Sequence, residues 1–468
     1  MAFDINVINR LYQDFAGKPY LKCVPLPNSG SNRHYYRLTG DNNQSVLAVY
    51  NADVAENRTY IAYTQTFANA GVNVPKVFDH DESLQYYLVE DIGNKQLYNL
   101  VTKAEGNPNA ELIGLYSNVL ADLAKMQIVA GGNIDYALCI GSPVFDQKAV
   151  EWDLNYFKYC YLKLANINFD EQKLETDFET IKNAIADIDN QYFMYRDFQS
   201  RNIMLKDGNP YYIDFQGGKR GPLMYDVASL LYQAKAKFSE ETRNLLFDKY
   251  IESTKKLIDI DKAKLYKEFK IFALIRTLQV LGAYGFRGYY EHKKHFIESI
   301  PFALKNLKNL LALDLLPLPH LCEIAGAIEP TEPETDSYNG LTITVVSFSY
   351  KKGIPTDPEN GGGFVFDCRG QHNPGRYDEY KMLTGRDKPV VDFLQKHSTI
   401  DTFLQQAIDL VSPTIEKYIE CDFTKLMVCF GCTGGQHRSV YCAQNFADKI
   451  KTKYGVRIKL IHRELERL

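Results

Sequence analysis

Three oxygen-bearing side chains set the first chemical constraint. Asp197 and Asn202 lie five residues apart in Arg196-Asp197-Phe198-Gln199-Ser200-Arg201-Asn202, and Asp214 closes an apolar run in Tyr212-Ile213-Asp214-Phe215-Gln216. Phosphoryl transfer to a hydroxyl asks a protein for little covalent work. It needs a carboxylate to receive the hydroxyl proton and oxygen ligands that hold Mg²⁺ against the phosphate oxygens. Asp197 is the candidate for the first task. Asn202 and Asp214 are the candidates for the second, since amide and carboxylate oxygens suit Mg²⁺. Asp and Asn are also common turn residues, so the D-x-x-x-x-N spacing carries weight only together with the hydrophobic hairpin that ends in Ile213-Asp214-Phe215. Together they predict an ATP- and Mg²⁺-dependent phosphotransferase.

A second constellation occupies Gly431-Cys432-Thr433-Gly434-Gly435-Gln436-His437-Arg438-Ser439, between an apolar strand-like run and a helical run. A glycine-rich turn at that junction aims backbone N–H groups and a helix N-terminus at one point, which suits an anion. No G-K-[ST] closes the loop, so it is not a Walker A sequence. Thr433, His437, Arg438 and Ser439 add donors, and Arg is shaped to grip phosphate with two hydrogen bonds. The same residues read as C-x₅-R-S, the spacing of cysteine-dependent phosphatases, in which a thiolate attacks phosphate while Arg holds it. Those enzymes usually place His before the Cys, where this chain has Gly431.

The elements that must hold these groups follow from composition and periodicity. With 468 residues, 45% apolar and 24% charged, the chain can bury more than one core and is globular. A net charge of -4 argues against a wholly nucleic-acid-coating surface. From Leu341 onward 18 Lys and Arg face 15 Asp and Glu, and residues 449–467 hold seven of those cations. Charge alone reads that tail as a solvated helix and an edge strand. Nine cysteines, three of them crowded at Cys429, Cys432 and Cys442, fit a reducing compartment. No stretch approaches the ~18 uninterrupted apolar residues of a membrane span. A cytoplasmic protein with no membrane contact is expected.

Residues 1–92 read as a small β-rich lobe with one helix, and 93–324 as a mostly helical lobe interrupted by two short strands near 203–205 and 211–213. The acidic, Pro-rich stretch 325–340 reads as a linker. Residues 341–468 alternate strand and helix patterns, which predicts crossovers and a mainly parallel sheet. The fold class is therefore α/β, with an α+β bilobal domain followed by a C-terminal α/β domain.

Arg196 to Asn202 and Tyr212 to Gln216 resemble the core of the aminoglycoside phosphotransferase and choline kinase family, and within it the kinases that phosphorylate N-acetylmuramate and N-acetylglucosamine at the anomeric hydroxyl. The resemblance extends through 71–75, 88–93 and 221–231 and covers roughly residues 5–315. It implies a protein-kinase-like fold and a nucleotide hinge at Val89, Glu90 and Asp91. It also implies that Asp226 braces the catalytic loop. Ser29, Gly30, Ser31, Asn32 and Arg33 would form the turn over the triphosphate. Tyr195 stands where the family usually has His, and 45–50 lacks the strand-three Lys that meets the α- and β-phosphates. Asp153 and Arg276, polar residues in apolar helical stretches, are acceptor candidates, with a buried ion pair as the alternative for each. Trp152 is read as packing.

Residues 341–468 resemble the C-terminal domain of the RapZ family, through 346–355, 366–369, Asn373-Pro374, 383–390 and 431–440. That implies an amino-sugar-phosphate pocket lined by Asp367, Arg369, Thr433, Gly434, His437 and Arg438, with a glucosamine-6-phosphate-like ligand or RNA as partner. Gly375 replaces the His that usually follows Asn-Pro. The combined expectation is a kinase acting on a hydroxyl of a sugar or amino sugar, with a C-terminal sensing or RNA-binding module. A pseudokinase scaffold and C-x₅-R phosphatase chemistry stay open, as does assembly into a homo-oligomer.

Overall fold

A computed structural model describes residues 4–26, 33–41, 44–328, 340–355, 363–421 and 423–465. Residues 1–290 with 295–332 make up one unit and 333–468 the body of another.

The first unit begins with α1 (Ile5–Ala16), β1 (Lys22–Pro25), β2 (His34–Thr39), β3 (Ser45–Tyr50), α2 (Val54–Asn69), β4 (Val77–His80) and β5 (Tyr86–Glu90). Its five strands form an antiparallel sheet in the order β1-β2-β3-β5-β4. Asp53 starts α2 by accepting the backbone N–H of Glu56, the third residue beyond it. This cap fixes which side of the first turn Glu56 leaves from.

The helical part follows as α3 (Leu97–Lys103), α4 (Ala110–Ala124), α5 (Gln147–Phe157) and α6 (Glu171–Ala184). Next come the short strands β6 (Tyr192–Met194), β7 (Ile203–Lys206), β8 (Asn209–Tyr212) and β9 (Lys219–Gly221). Helices α7 (Leu223–Leu231), α8 (Glu240–Thr254), α9 (Lys262–Gly285), α10 (Lys294–Ile297), α11 (Ile300–Leu311) and α12 (Pro319–Ala327) then follow. Strands β6 and β9 pair, as do β7 and β8. Helix α9 is apolar nearly all round, the pattern of a helix enclosed by others, and it packs against α5, α7 and α11. The segment 262–290 is long and apolar enough by composition to cross a membrane, but 72% of its apolar 18-residue window is buried inside this fold. The close approach of α9 to its neighbour depends on absent side chains. A Cβ at Gly285 would stand 2.0 Å from the Cys160 carbonyl oxygen, and one at Gly282 2.8 Å from the Tyr156 carbonyl.

In the second unit β10 (Thr342–Ser349), β11 (Phe364–Asp367), α13 (Lys388–His397), α14 (Ile400–Glu420), β12 (Lys425–Cys432), α15 (Arg438–Tyr454) and β13 (Arg457–His462) succeed one another. All four strands are parallel, in the order β11-β12-β10-β13. Strands β10 and β12 are buried almost continuously, as strands covered on both faces must be. The connection from β10 runs past β12 to β11, whereas that from β12 runs past β10 to β13. The carboxyl ends of β10 and β12 thus flank the switch point where open parallel sheets receive ligands.

Two expectations change. Residues 325–327 finish α12, with Ala325 buried, so a connector cannot begin before Ile328; residues 329–339 lie outside the described ones. Trp152 does not pack: it is 66% exposed, with the Lys148 ammonium 5.7 Å from its ring. Cys429 and Cys432 have C-x-x-C spacing, yet three residues apart on β12 they point to opposite faces and join different clusters. None of the nine cysteines is in a disulfide.

Candidate functional site

Strand β3 carries no lysine, and a buried cation comes instead from the residue before β2. Arg33 immediately precedes β2, is 4% exposed, and its Nη2 lies 2.9 Å from Glu56 Oε1 in the first turn of α2. Its guanidinium also lies 5.5 Å from the centre of the Tyr60 ring. Glu56 is held from further sides: Asn51 Nδ2 donates to Oε2 at 2.7 Å, and Gln216 Nε2 donates to Oε1 at 3.1 Å. The same Gln216 amide donates to Asp214 Oδ1 at 2.8 Å. A continuous polar chain therefore runs Arg33, Glu56, Gln216, Asp214. Sequence reasoning had Arg33 as a loop donor and missed Glu56 and Gln216. Glu56 reads as a capping residue, and its partner is 23 positions upstream.

The loop bearing Asp197 is pinned by groups distant in sequence. Asp226, in the first turn of α7, accepts from the backbone N–H of Tyr195 at 2.7 Å and of Arg196 at 3.0 Å. Burial pushes the Asp226 carboxyl up to about 7, although those two hydrogen bonds pull the other way. Arg196 takes a positive φ of 78° and Asp214 one of 69°. Such backbone costs of order 1–3 kcal/mol for a residue with a side chain, and persists only where surroundings impose it. Tyr195, the residue in place of the family's His, supplies part of that imposition: its buried hydroxyl donates to the Ile213 carbonyl, just before Asp214. Phe215, just after it, is fully buried and stacks on Tyr60 at 5.0 Å. Asn202 Nδ2 donates to the Asp197 carbonyl at 3.0 Å, and the Asn202 carbonyl accepts from Ile213 N–H at 3.1 Å. Backbone and side-chain bonds thus tie the segments bearing Asp197, Asn202 and Asp214 to one another. With Nδ2 committed, the Asn202 amide oxygen and the second Asp214 oxygen remain as ligating atoms. That oxygen pair fits Mg²⁺, which draws much of its shell from water and phosphate. Among the described residues no group of three His, Cys, Asp or Glu could hold a metal.

The Asp197 side chain is about half exposed and takes a hydrogen bond from Arg276 Nη2 at 3.1 Å on Oδ1. Arg276 is buried on α9 and also donates from Nε to Ser229 Oγ at 3.1 Å. A small cavity of about 30 Å³ opens beside it, lined among others by Gln199, Gln233, Tyr284 and Asn306. Asp153 instead pairs with Arg196 Nη2 at 2.8 Å, and burial pushes its carboxyl up despite that partner. Asp153 Oδ2 and Arg196 Nη1 are buried without a hydrogen-bond partner among the described residues. Both acceptor candidates are thus drawn to the catalytic loop through ion pairs.

Val89 and Glu90 end β5, and Asp91 follows. Glu90 meets Lys206 Nζ at 2.5 Å. Burial alone would raise the Asp91 carboxyl, but Arg37 Nε at 2.6 Å, Ser45 Oγ at 2.6 Å and the Gly93 N–H hold it below the usual range. The side chains at 90 and 91 therefore brace the strand end, and the Glu90 N–H is itself committed to the Lys76 carbonyl at 2.8 Å. Ser29, Gly30, Ser31 and Asn32 lie outside the described residues.

In the second unit the loop 432–438 leaves β12 and enters α15. Thr433 and Gly434 are exposed at its tip, and Ser349 Oγ donates to the Thr433 carbonyl at 2.7 Å. His437 caps α15 without a side-chain hydrogen bond, so the first-turn N–H groups carry no cap. The His437 Nε2–H donates to the Tyr380 carbonyl at 2.9 Å, and burial keeps its pKa below the usual value. A Cβ at Gly375 would stand 3.4 Å from His437 Nδ1, so the residue that departs from the family pattern faces this ring. Arg438 is 4% exposed; its Nη1 donates to the carbonyls of Arg369 at 3.0 Å and Gln371 at 2.9 Å. Its Nε is buried with no partner among the described residues. Asp367 and Arg369 bond to each other at the end of β11, with 2.7 Å between Oδ2 and Nη2.

The Asp197, Asn202 and Asp214 cluster of the first unit is thus accompanied in one chain by a glycine-rich loop at a helix N-terminus in the second. The chain belongs to the phosphotransferase enzyme family, which residues 22–266 match, and it carries a RapZ C-terminal domain at 341–466. A nucleotide-binding protein of Histophilus somni is 31% identical over 230 residues, 48% of this chain and 73% of that protein. The RNase adapter protein RapZ of Hamiltonella defensa is 37% identical over 127 residues, 27% of this chain and 43% of that one. Among solved structures, a choline kinase of Cryptosporidium parvum is similar at 14% identity and a TM-score of 0.47, covering 67% of this chain and 98% of that one.

Proposed function

We propose that the first unit is an ATP-dependent kinase that phosphorylates a hydroxyl of a sugar or amino sugar, and that the second binds a phosphorylated amino sugar such as glucosamine-6-phosphate. The observation that carries the kinase reading is the hydrogen-bonded assembly of Asp197, Asn202 and Asp214 with the Arg33–Glu56 pair joined to Asp214 through Gln216.

In this reading Asp197 accepts the proton of the attacking hydroxyl, and Arg276 orients its carboxylate. Asn202 and Asp214 would hold Mg²⁺, which when bound offsets charge on the phosphate oxygens. Arg33 replaces the missing strand-three lysine as the cation toward the α- and β-phosphates, with Glu56 keeping it in place. Asp153 Oδ2 and Arg196 Nη1, a buried acceptor beside a buried donor, match a ligand rich in hydroxyl groups.

ADP release measured across sugars, amino sugars and amino alcohols tests the enzyme. Asp197→Ala is expected to lower kcat by about 10²–10⁴, the usual span for a general base. No ADP release with any acceptor, and no heat on titrating nucleotide with magnesium, would leave only a scaffold. For the second unit, glucosamine-6-phosphate is expected to raise the melting temperature and Arg438→Ala to remove that shift. A shift produced by RNA and not by the sugar phosphate would reassign the partner.

A further inference from the structure

Cys432 sits at the point where a buried strand meets a phosphate-type loop, and nothing in the kinase reading uses it. It is 3% exposed at the end of β12. Two groups converge on its sulfur: the Gly435 backbone N–H donates to it at 3.2 Å, and the Ser439 hydroxyl shares a hydrogen bond with it at 3.1 Å in which either group can donate. Gly435 can turn its N–H inward because its φ is 72°, and no other residue fits there, since a Cβ would lie 2.4 Å from Glu464 Cγ. Six positions after the sulfur, Arg438 opens α15.

An independent sign of a ligand comes from that arginine. The two carbonyls on Nη1 fix the guanidinium plane and leave the edge bearing Nε and Nη2. Nε is shut from water and has no partner among the described residues, and burying an arginine donor without an acceptor is costly. A tetrahedral oxyanion in the loop would satisfy that edge with two parallel hydrogen bonds. It would also meet the uncapped first-turn N–H groups of α15.

We infer that this loop is a covalent phosphoryl-transfer site for small phosphate monoesters, with Cys432 as nucleophile, Arg438 as the phosphate clamp and Ser439 as the donor that steadies the sulfur. The inference rests on the phosphate-binding half of the reading above and is independent of the kinase half. In the first step the Cys432 sulfur bonds to phosphorus while the ester P–O bond breaks; the thiol proton ends on the departing oxygen, giving an alcohol and an S-phosphocysteine. In the second step water attacks phosphorus, the S–P bond breaks, and the sulfur regains a proton as inorganic phosphate leaves. Ser439 O–H donates to the sulfur as negative charge returns to it. The nearby Cys368 is unsuited to this role, because burial holds its thiol well above the ordinary range.

The test uses the full chain under reducing conditions with p-nitrophenyl phosphate, whose leaving group needs no acid catalyst. Steady hydrolysis is expected, with Cys432→Ser lowering it by roughly 10³-fold or more, as loss of a nucleophile does. Ser439→Ala is expected to slow the second step, so that acid-quenched mass spectrometry finds a phosphoryl adduct on the peptide bearing Cys432. That measurement decides the matter even where Cys432→Ser does not fold. Hydrolysis no faster than buffer, hydrolysis unchanged in Cys432→Ser, or inorganic phosphate raising the melting temperature with no adduct ever formed would each overturn the inference. The last result would leave phosphate binding intact.

Discussion

Replacing Arg33 with Met removes the cation that faces Glu56 across 2.9 Å while keeping most of the apolar stem over Tyr60. Stripping one partner from a fully buried pair costs about 3–5 kcal/mol. Glu56 keeps Asn51 and Gln216 as donors, and its side chain is 25% exposed. The expected loss is therefore nearer 1–2 kcal/mol, roughly what one or two hydrogen bonds to a charged group contribute. A fall of a few degrees in Tm should accompany it. The catalytic effect is expected to be larger. Withdrawing one preorganised donor from charge that develops in the transition state costs about 10²–10³ in rate, or roughly 2.7–4 kcal/mol. Because Gln216 carries the pair to Asp214, Arg33→Met and Glu56→Gln combined should fall short of their sum by about 1 kcal/mol or more. Arg33→Lys keeps a charge but loses the planar fork, so an intermediate rate is expected. Coupled ADP release at varied ATP reads all of these. If Arg33→Met kept kcat/KM for ATP within threefold of the parent while its stability fell as described, the pair would be a structural brace and the missing lysine would have no substitute.

Three further outcomes follow from single contacts. Tyr195→Phe leaves the Ile213 carbonyl without its hydroxyl donor, and about 1–3 kcal/mol of stability should be lost together with activity, read by thermal unfolding and ADP release on one sample. Gly285→Ala pushes a methyl against the Cys160 carbonyl, and with backbone on both sides relief requires moving a helix; a loss of about 3 kcal/mol or more is expected in chemical denaturation. His437 titrates lower in the folded chain than in the unfolded one, so below pH of about 6.5 the unfolded chain binds the extra proton. Stability of the second unit should therefore be full above that pH and decline as pH falls, with His437→Gln flattening the decline in melting curves between pH 5 and 7.

How far the site could be read beforehand differs by residue, and the differences have causes. Asp197, Asn202 and Asp214 were legible as candidates because they lie close in sequence, on one loop and at the end of the hairpin that follows it. Fold class and the two-unit division were legible for a similar reason, since helical and strand periodicities report local burial. Arg276 and Asp153 were visible as polar interruptions of apolar helices, but whether they met a ligand or an ion pair was a matter of which helices became neighbours. The start of the connector was misplaced because composition changes at Ala325 while packing holds α12 together to Ala327. Trp152 was misassigned because a large apolar residue on an amphipathic helix reads as buried unless its neighbours are known.

What the chain of residues determined by itself was the chemistry on offer: a carboxylate and two oxygen ligands at kinase spacing, and a thiol six positions before an arginine with glycines between them. What only the tertiary structure decided was which distant groups complete each site. Arg33 meets Glu56, Tyr195 reaches Ile213, and Arg438 turns Nη1 to two carbonyls on the neighbouring strand's exit. Ion pairs and hydrogen bonds act over a few ångströms, and no sequence separation sets that distance. It is set by how sheets and helices close on their cores.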